Sequence, residues 1–239
     1  MKFFNNNPLL KVLSLNSISV AVSFVLGILS TKIISLFLGA PGMAVIGSLR
    51  NFTTMLKSMA TLGINNSVVK FVVENKNDKK ELSIIYSTFF WLFLIISSLL
   101  GLTTLLFSKS ISELLFFSDY YVIPIQIFGL ILPLLVINTF WLAIYNGLEE
   151  FKKVIYIQII SNILIFLVTA ILIWKQKVLG GLLSIVFGEL IMVFVTFIYV
   201  RNSKEYFVFD LQKIIDKKCN ISREHPPQFT SMYYIILEI

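Results

Sequence analysis

Four basic residues lie within long apolar stretches of the sequence, at Lys32, Arg50, Lys57 and Lys70. A cation in the hydrocarbon core of a membrane costs about 3 kcal/mol on insertion scales, so such a residue faces a protein interior or a water-filled cavity and marks a function. The stretch Met43–Val73 holds three of them and contains no acidic residue. The pattern therefore predicts a site that binds an anion.

Arg50 and Lys57 are seven residues apart, so on a helix their side chains point within about 20° of each other. Thr54, Thr61 and Asn65 lie close to the same stripe. A polar, cationic face on a membrane-spanning helix usually borders a cavity inside the protein. We expect Arg50 and Lys57 to line such a lumen.

Snorkelling, in which a long side chain carries its charge to the membrane surface, is the alternative for these cations. Both readings stay open for Lys32 and Lys70, which lie near the ends of their stretches, whereas Arg50 and Lys57 lie deeper. Glu189 is an acidic residue well inside an apolar segment. It can pair with Arg50 or Lys57, couple transport to protons, or stay protonated against a neighbour. Pairing is favoured because an isolated carboxylate in lipid is costly.

The sequence contains no signature of a catalytic site. It has no Gly-x-x-x-x-Gly-Lys phosphate loop, no His-Glu-x-x-His zinc motif and no Gly-x-Ser-x-Gly nucleophile elbow. Its single cysteine, Cys219, and single histidine, His225, have no candidate partners. We therefore expect a protein that is not an enzyme and that binds neither a metal nor a cofactor.

The elements that position these residues follow from the composition, which is 57% hydrophobic and 14% charged with a mean hydropathy of +0.87. Soluble domains contain about 25% charged residues. Six apolar segments are each near or above the roughly 20 residues that span a bilayer as a helix. The predicted fold class is an all-α integral membrane protein, a six-transmembrane-helix bundle. The segments are Val12–Leu38, Met43–Val73, Leu82–Phe107, Tyr121–Tyr145, Val154–Trp174 and Val178–Val200.

Basic residues in the loops predict the orientation, because cytoplasmic loops of membrane proteins are enriched in Lys and Arg. With the N-terminus inside, the inner loops and the tail hold 13 of the 20 Lys and Arg residues, and the outer loops hold Lys109, Lys175 and Lys177. Both termini are thus predicted to be cytoplasmic. The domains are residues 1–200 as the helical bundle, 201–218 as an interfacial amphipathic linker and 219–239 as a truncated or irregular tail.

Four features together resemble a known family. They are Lys32, the turn Leu38-Gly39-Ala40-Pro41-Gly42, Arg50, and the run Gly63-Ile64-Asn65-Asn66-Ser67-Val68-Val69-Lys70-Phe71. This pattern is similar to the N-terminal signature of bacterial polysaccharide-lipid flippases. The O-antigen and enterobacterial common antigen translocases of the multidrug/oligosaccharidyl-lipid/polysaccharide exporter superfamily are the members it resembles.

The resemblance implies a function in lipopolysaccharide O-antigen or related surface-polysaccharide biosynthesis. Such proteins move undecaprenyl-diphosphate-linked oligosaccharide across the bacterial inner membrane through a cationic lumen by alternating access. Arg50 and Lys57 would contact the diphosphate, with Lys32 and Lys70 near the mouths and Asn65 completing the substrate-binding set. Lys57 departs from the family, which often has a small residue at this position.

The family has at least twelve spanning helices, so the chain corresponds to the N-terminal half of a twelve-helix exporter and could be inactive alone. Its expected partners are the lipid-linked oligosaccharide, membrane lipid, and a second six-helix half or glycan polymerase machinery, and nucleic acid is not expected. One alternative is a non-transporting membrane scaffold subunit of a glycan-assembly complex. Another is an exporter or channel of two copies of this chain.

Overall fold

The computed structural model describes residues 8–202, and every regular element in that range is helical. The predicted linker from 203 onward and the predicted tail lie outside the described residues. This range contains six α-helices and a 3₁₀ turn at Asp119–Tyr121. The α-helices are α1 (Pro8–Ala60), α2 (Asn65–Glu74), α3 (Lys79–Leu106), α4 (Ser108–Phe116), α5 (Val122–Gly147) and α6 (Phe151–Asn202).

The two longest helices, α1 and α6, are each broken near the middle. They contain 53 and 52 residues, and as straight rods they would be about 80 Å long, far more than the roughly 30 Å core of a bilayer. The breaks are at Gly39 (φ 65°, ψ −170°) and Lys177 (φ 50°, ψ −123°). Beyond the second break the chain folds back on itself. The evidence is that Gly188 packs against Ile165, although the two residues lie on opposite sides of Lys177 in the sequence.

Four helices in the described part are long and apolar enough to cross a membrane. Their apolar ranges are Ser14–Ala60, Glu81–Leu106, Asp119–Gly147 and Phe151–Arg201. The breaks at Gly39 and Lys177 fall between the first and second, and between the fifth and sixth, of the apolar segments read from the sequence. The structure is thus an all-helical bundle of the kind that membrane proteins form.

One predicted helix is wrong in its extent. The stretch Met43–Val73 was expected to be one continuous helix, but α1 ends at Ala60 and α2 begins at Asn65. Leu62 (φ 50°) and Gly63 (φ 66°) both adopt positive φ, a conformation that ends a helix. As a result α2 is a separate helix, and its residues do not continue the stripe of Arg50 and Lys57.

The core of the bundle is formed mainly by α3 and α5, which approach closely at a pair of glycines. Phe93, Phe128 and Phe140 are fully buried there, and the Phe93 and Phe140 rings meet edge to face with centroids 5.9 Å apart. A Cβ added to Gly101 would lie 2.5 Å from the carbonyl oxygen of Gly129. Small residues at such crossings allow helix backbones to come together in membranes.

Replacing Gly101 by Ala should therefore destabilise the bundle, because its methyl group would meet backbone rather than a flexible side chain. Overpacking of this kind costs about 1–3 kcal/mol, partly offset by the roughly 1 kcal/mol gain in helix propensity. The thermal unfolding midpoint in detergent should fall. Gly47→Ala is the control, since an added Cβ there meets nothing within 4 Å. Equal midpoints for the two variants would contradict the close approach.

Candidate functional site

A cavity of about 300 Å³ lies between α1 and α6 and is lined by both polar and apolar side chains. Its walls come from both segments of each helix, so the fold-back of α1 and α6 creates the space. Isoleucines and Met192 form the apolar part of the wall. The polar residues that line it are Ser30, Arg50, Thr53, Thr54, Lys57, Thr169, Ser184 and Glu189.

Helical spacing places the two predicted cations in this cavity. Arg50 and Lys57 stand on the second segment of α1, two turns apart on one face. The hydroxyls of Thr53 and Thr54 donate hydrogen bonds to the carbonyl oxygen of Arg50, at 2.9 and 2.8 Å. These bonds fix the direction of the two hydroxyl groups, and both threonines line the cavity together with Arg50.

An ion pair crosses the cavity from α1 to α6. The Nζ of Lys57 donates to Oε1 of Glu189 at 2.5 Å, and the two side chains are 31% and 23% exposed. Next to Glu189, Gly188 lets the helix pack closely on Ile165. Arg50 forms no ion pair with any residue from 8 to 202. The lining therefore retains one uncompensated positive charge, on a side chain that is exposed.

A second, more open groove of about 710 Å³ is bordered by the first segment of α1 together with Met43 and Arg50. Its polar side chains are those of Ser23, Thr31, Lys32, Ser35 and Arg50. Because Arg50 also lines the first cavity, this residue borders both spaces. Three of the predicted substrate-binding residues, Lys32, Arg50 and Lys57, thus line two hollows that share Arg50.

Beside the groove, a hydrogen bond ties the first segment of α1 to α6. The Nδ2 of Asn162 donates to Oγ of Ser23 at 2.6 Å, and Ser23 lines the groove. Interhelical bonds of this type contribute about 1 kcal/mol in membranes. The contact holds the groove wall in place against α6.

Two predicted site residues lie elsewhere. Lys70 is on α2 and exposed, with Glu74 one turn later at 3.9 Å, a surface pair of little energetic weight. Asn65 starts α2, and its buried Oδ1 has no hydrogen-bond partner among the described residues. Neither lines the cavity or the groove. Their roles in binding remain predictions.

The structure adds hydroxyl residues that sequence reasoning missed, namely Ser30, Thr169 and Ser184. Each is a small polar residue within an otherwise apolar segment, and small polar residues favour helix–helix interfaces. This preference predicts that the three residues face another helix rather than lipid. It does not reveal that they face the same space as Arg50.

The arrangement suits the binding of a phosphate-type anion. A guanidinium offers a planar fork of donors that matches two phosphate oxygens, and an ammonium adds a second charge. Hydroxyl groups can complete the coordination of the remaining oxygens. Within residues 8–202 no group of three or more His, Cys, Asp and Glu side chains could hold a metal ion.

The model of a family described as polysaccharide biosynthesis protein matches residues 9–221, a range that includes the cavity, the groove and nearly all of the described helices. No curated protein matches the chain, and neither does any solved structure.

Proposed function

Since the chain belongs to the polysaccharide biosynthesis protein family, we propose that it translocates an undecaprenyl-diphosphate-linked oligosaccharide from the cytoplasmic to the periplasmic leaflet of the bacterial inner membrane. Members of this family are generally transporters rather than enzymes. The cargo would belong to O-antigen or related surface-polysaccharide biosynthesis.

The observation that carries the proposal is the presence of Arg50 and Lys57 in one cavity between apolar helices. A cavity of about 300 Å³ is at the lower end of ligand pockets, which range from about 300 to 1,000 Å³. It suits a diphosphate group better than an oligosaccharide. The sugars would occupy the more open groove beside Lys32 or a space completed by a second half of the transporter.

We place both termini in the cytoplasm with six crossings of the membrane, counting each segment of α1 and α6 as one. Each of these segments has at least the roughly 20 residues that a crossing requires. A second six-helix half, from another chain or a second copy of this one, would complete the lumen. The two halves would alternate between inward-open and outward-open states.

Glu189 is the proposed coupling residue. In the structure it neutralises Lys57, so an arriving diphosphate must compete with it for the same ammonium group. When Lys57 turns to phosphate, the carboxylate loses its partner, and return of the ion pair would release the cargo. A proton carried by Glu189 in between would couple this cycle to a proton gradient.

A translocation assay tests the proposal. The chain, with the membrane proteins that co-purify with it, is reconstituted in vesicles containing a fluorescent polyprenyl-diphosphate-linked sugar. A membrane-impermeant reductant then bleaches the outer leaflet. We expect the protein to move probe from the inner to the outer leaflet, so that the reductant bleaches this fraction faster than in protein-free vesicles. Equal rates would contradict translocation.

The alternative function is a non-transporting scaffold of a glycan-assembly complex. It is favoured by the exposure of α1: only 6% of an apolar 18-residue window within Ser14–Ala60 is buried. So open a helix offers a face to a partner protein. Under this reading Arg50→Gln with Lys57→Gln would abolish partner association. Under the flippase reading, association and protein level are retained while export of lipid-linked sugar fails.

A further inference from the structure

The short helix α4 and the turn after it carry large apolar side chains that the bundle leaves uncovered. Leu114 is 78% exposed and Phe117 is 94% exposed. We propose that this segment rests in the interfacial layer of the membrane, with Leu114 and Phe117 inserted at the boundary between headgroups and acyl chains. The inference is independent of the transported substrate and of the role of Arg50.

One face of α4 packs against the rest of the bundle. Ser108, Ser112 and Phe116, spaced one turn apart, are buried. The side-chain amide Nε2 of Gln126 on α5 donates to Oγ of Ser108 at 3.3 Å, and Oγ of Ser112 donates to the carbonyl oxygen of Ser118 at 2.6 Å. The opposite face is therefore presented in a fixed orientation.

Exposed apolar side chains stand at both ends of α4 and on one side of it. Phe107, which is 60% exposed, is the N-cap residue, and Phe117 is the C-cap residue. Leu114 lies on the side opposite the buried Ser112. Lys109 and Glu113, one turn apart, form a polar strip between the buried face and Leu114, which gives the segment the apolar and polar sides of an interfacial helix.

The backbone at Phe117 gives an independent reason to assign a role to its ring. Phe117 ends α4 in the left-handed region (φ 54°, ψ 32°), where its N–H donates to the carbonyl oxygen of Glu113. Glycine is the usual residue at this position, because it has no Cβ to strain there. An aromatic residue that is both strained and 94% exposed adds little to the packing among the described residues. Its ring suits the membrane interface.

Continuity with α3 indicates that the occupant is lipid. Ile95, Leu99, Leu102 and Leu106 are exposed at spacings of four, three and four residues, an apolar stripe along a helix long enough to span a membrane. The stripe ends at Leu106, and the exposed Phe107 that follows it is the N-cap residue of α4. The apolar surface that acyl chains would cover on α3 therefore ends where α4 begins.

The charged residues of this segment fit a helix whose other side faces water. Nζ of Lys109 lies 3.2 Å from Oδ2 of Asp119, with both side chains exposed. The hydrogen bond from Lys109 to Asp119 and the charge of that carboxylate raise the pKa of the lysine. The lysine therefore keeps its charge on the water side of the helix. Since the pair is internally neutralised, binding would depend on apolar burial rather than on anionic headgroups.

Site-directed spin labelling of the full chain tests the proposal. Cys219 is the one cysteine, so Cys219→Ser provides a background in which Leu114→Cys, Phe117→Cys and, as the matched control, Glu113→Cys are each labelled. All three positions are exposed, so the label does not displace core side chains. The labelled chains are reconstituted in vesicles of phosphatidylethanolamine and phosphatidylglycerol.

Collision rates with oxygen, which concentrates in lipid, and with a nickel chelate, which stays in water, are then compared. We expect labels at 114 and 117 to favour oxygen several-fold relative to the label at 113. Equal access of the nickel chelate to all three would overturn the proposal. So would protection of 114 and 117 from both reagents, which would mean that a protein partner or a second copy covers them.

Discussion

Arg50→Gln is expected to lower the rate of lipid-linked oligosaccharide translocation about 10- to 100-fold. A hydrogen bond to a charged group contributes about 1.5–3 kcal/mol, and each 1.4 kcal/mol corresponds to about a factor of ten. Arg50 is the cation that lines both the cavity and the groove, and it has no ion-pair partner in the described part of the chain. Its loss removes the charge most available to a diphosphate. The reconstituted vesicle assay measures the rate.

Two further variants make this result specific. Arg50→Lys keeps the charge but loses the planar fork, so an intermediate rate is expected. Lys76→Gln is the matched control, because Lys76 is a basic residue that lines neither hollow and pairs with Glu149 at the surface. Loss of transport in Lys76→Gln as large as in Arg50→Gln would point to a general effect of basic charge and contradict the assignment.

Glu189→Gln is expected to abolish the stimulation of translocation by a proton gradient, while translocation in the absence of a gradient persists. The carboxylate is the group that Lys57 holds across the cavity, and glutamine keeps its shape without a titrating proton. Transport in vesicles with and without an imposed gradient measures the effect. A variant that still responds to the gradient would exclude Glu189 as the coupling residue.

The ion pair of Lys57 and Glu189 should also stabilise the fold, and a double-mutant cycle measures this contribution. Breaking the pair at either end should lower stability by about 1–2 kcal/mol, less than the 3–5 kcal/mol of a fully buried pair because water reaches both groups. Lys57→Gln with Glu189→Gln should cost less than the sum of the single changes. Additive losses in unfolding experiments would mean that the two groups are not coupled.

The parts of the fold that could be predicted are those with a strong local signal. Long apolar stretches predict helices that cross a membrane, and the Gly39–Gly42 turn predicts the break in α1. The end of α1 at Ala60 was missed because one glycine, Gly63, stands in an otherwise apolar and helix-compatible run. The nine-residue helix α4 was missed as well, since so short a helix forms through tertiary packing rather than propensity.

The candidate site was predictable in part for the same reason. The spacing of Arg50 and Lys57 within one helix places them on one face. The contact of Lys57 with Glu189 joins residues 132 apart in the chain, and the sequence left Arg50 as an equal candidate for that partner. Asn65 and Lys70 do not line the cavity because the positive φ angles of Leu62 and Gly63 turn α2 away from the axis of α1.

Aqueous access to the cavity tests the central claim, a watery cationic space within the membrane that takes phosphate oxygens. In a Cys219→Ser background, Thr54→Cys places a thiol in the cavity wall, and Met55→Cys places one on the adjacent exposed apolar surface outside it. A charged, water-soluble thiol reagent should label position 54 in intact membranes, and inorganic pyrophosphate should protect it, while position 55 stays unlabelled. Failure to label position 54, or labelling that pyrophosphate does not slow, would contradict the account.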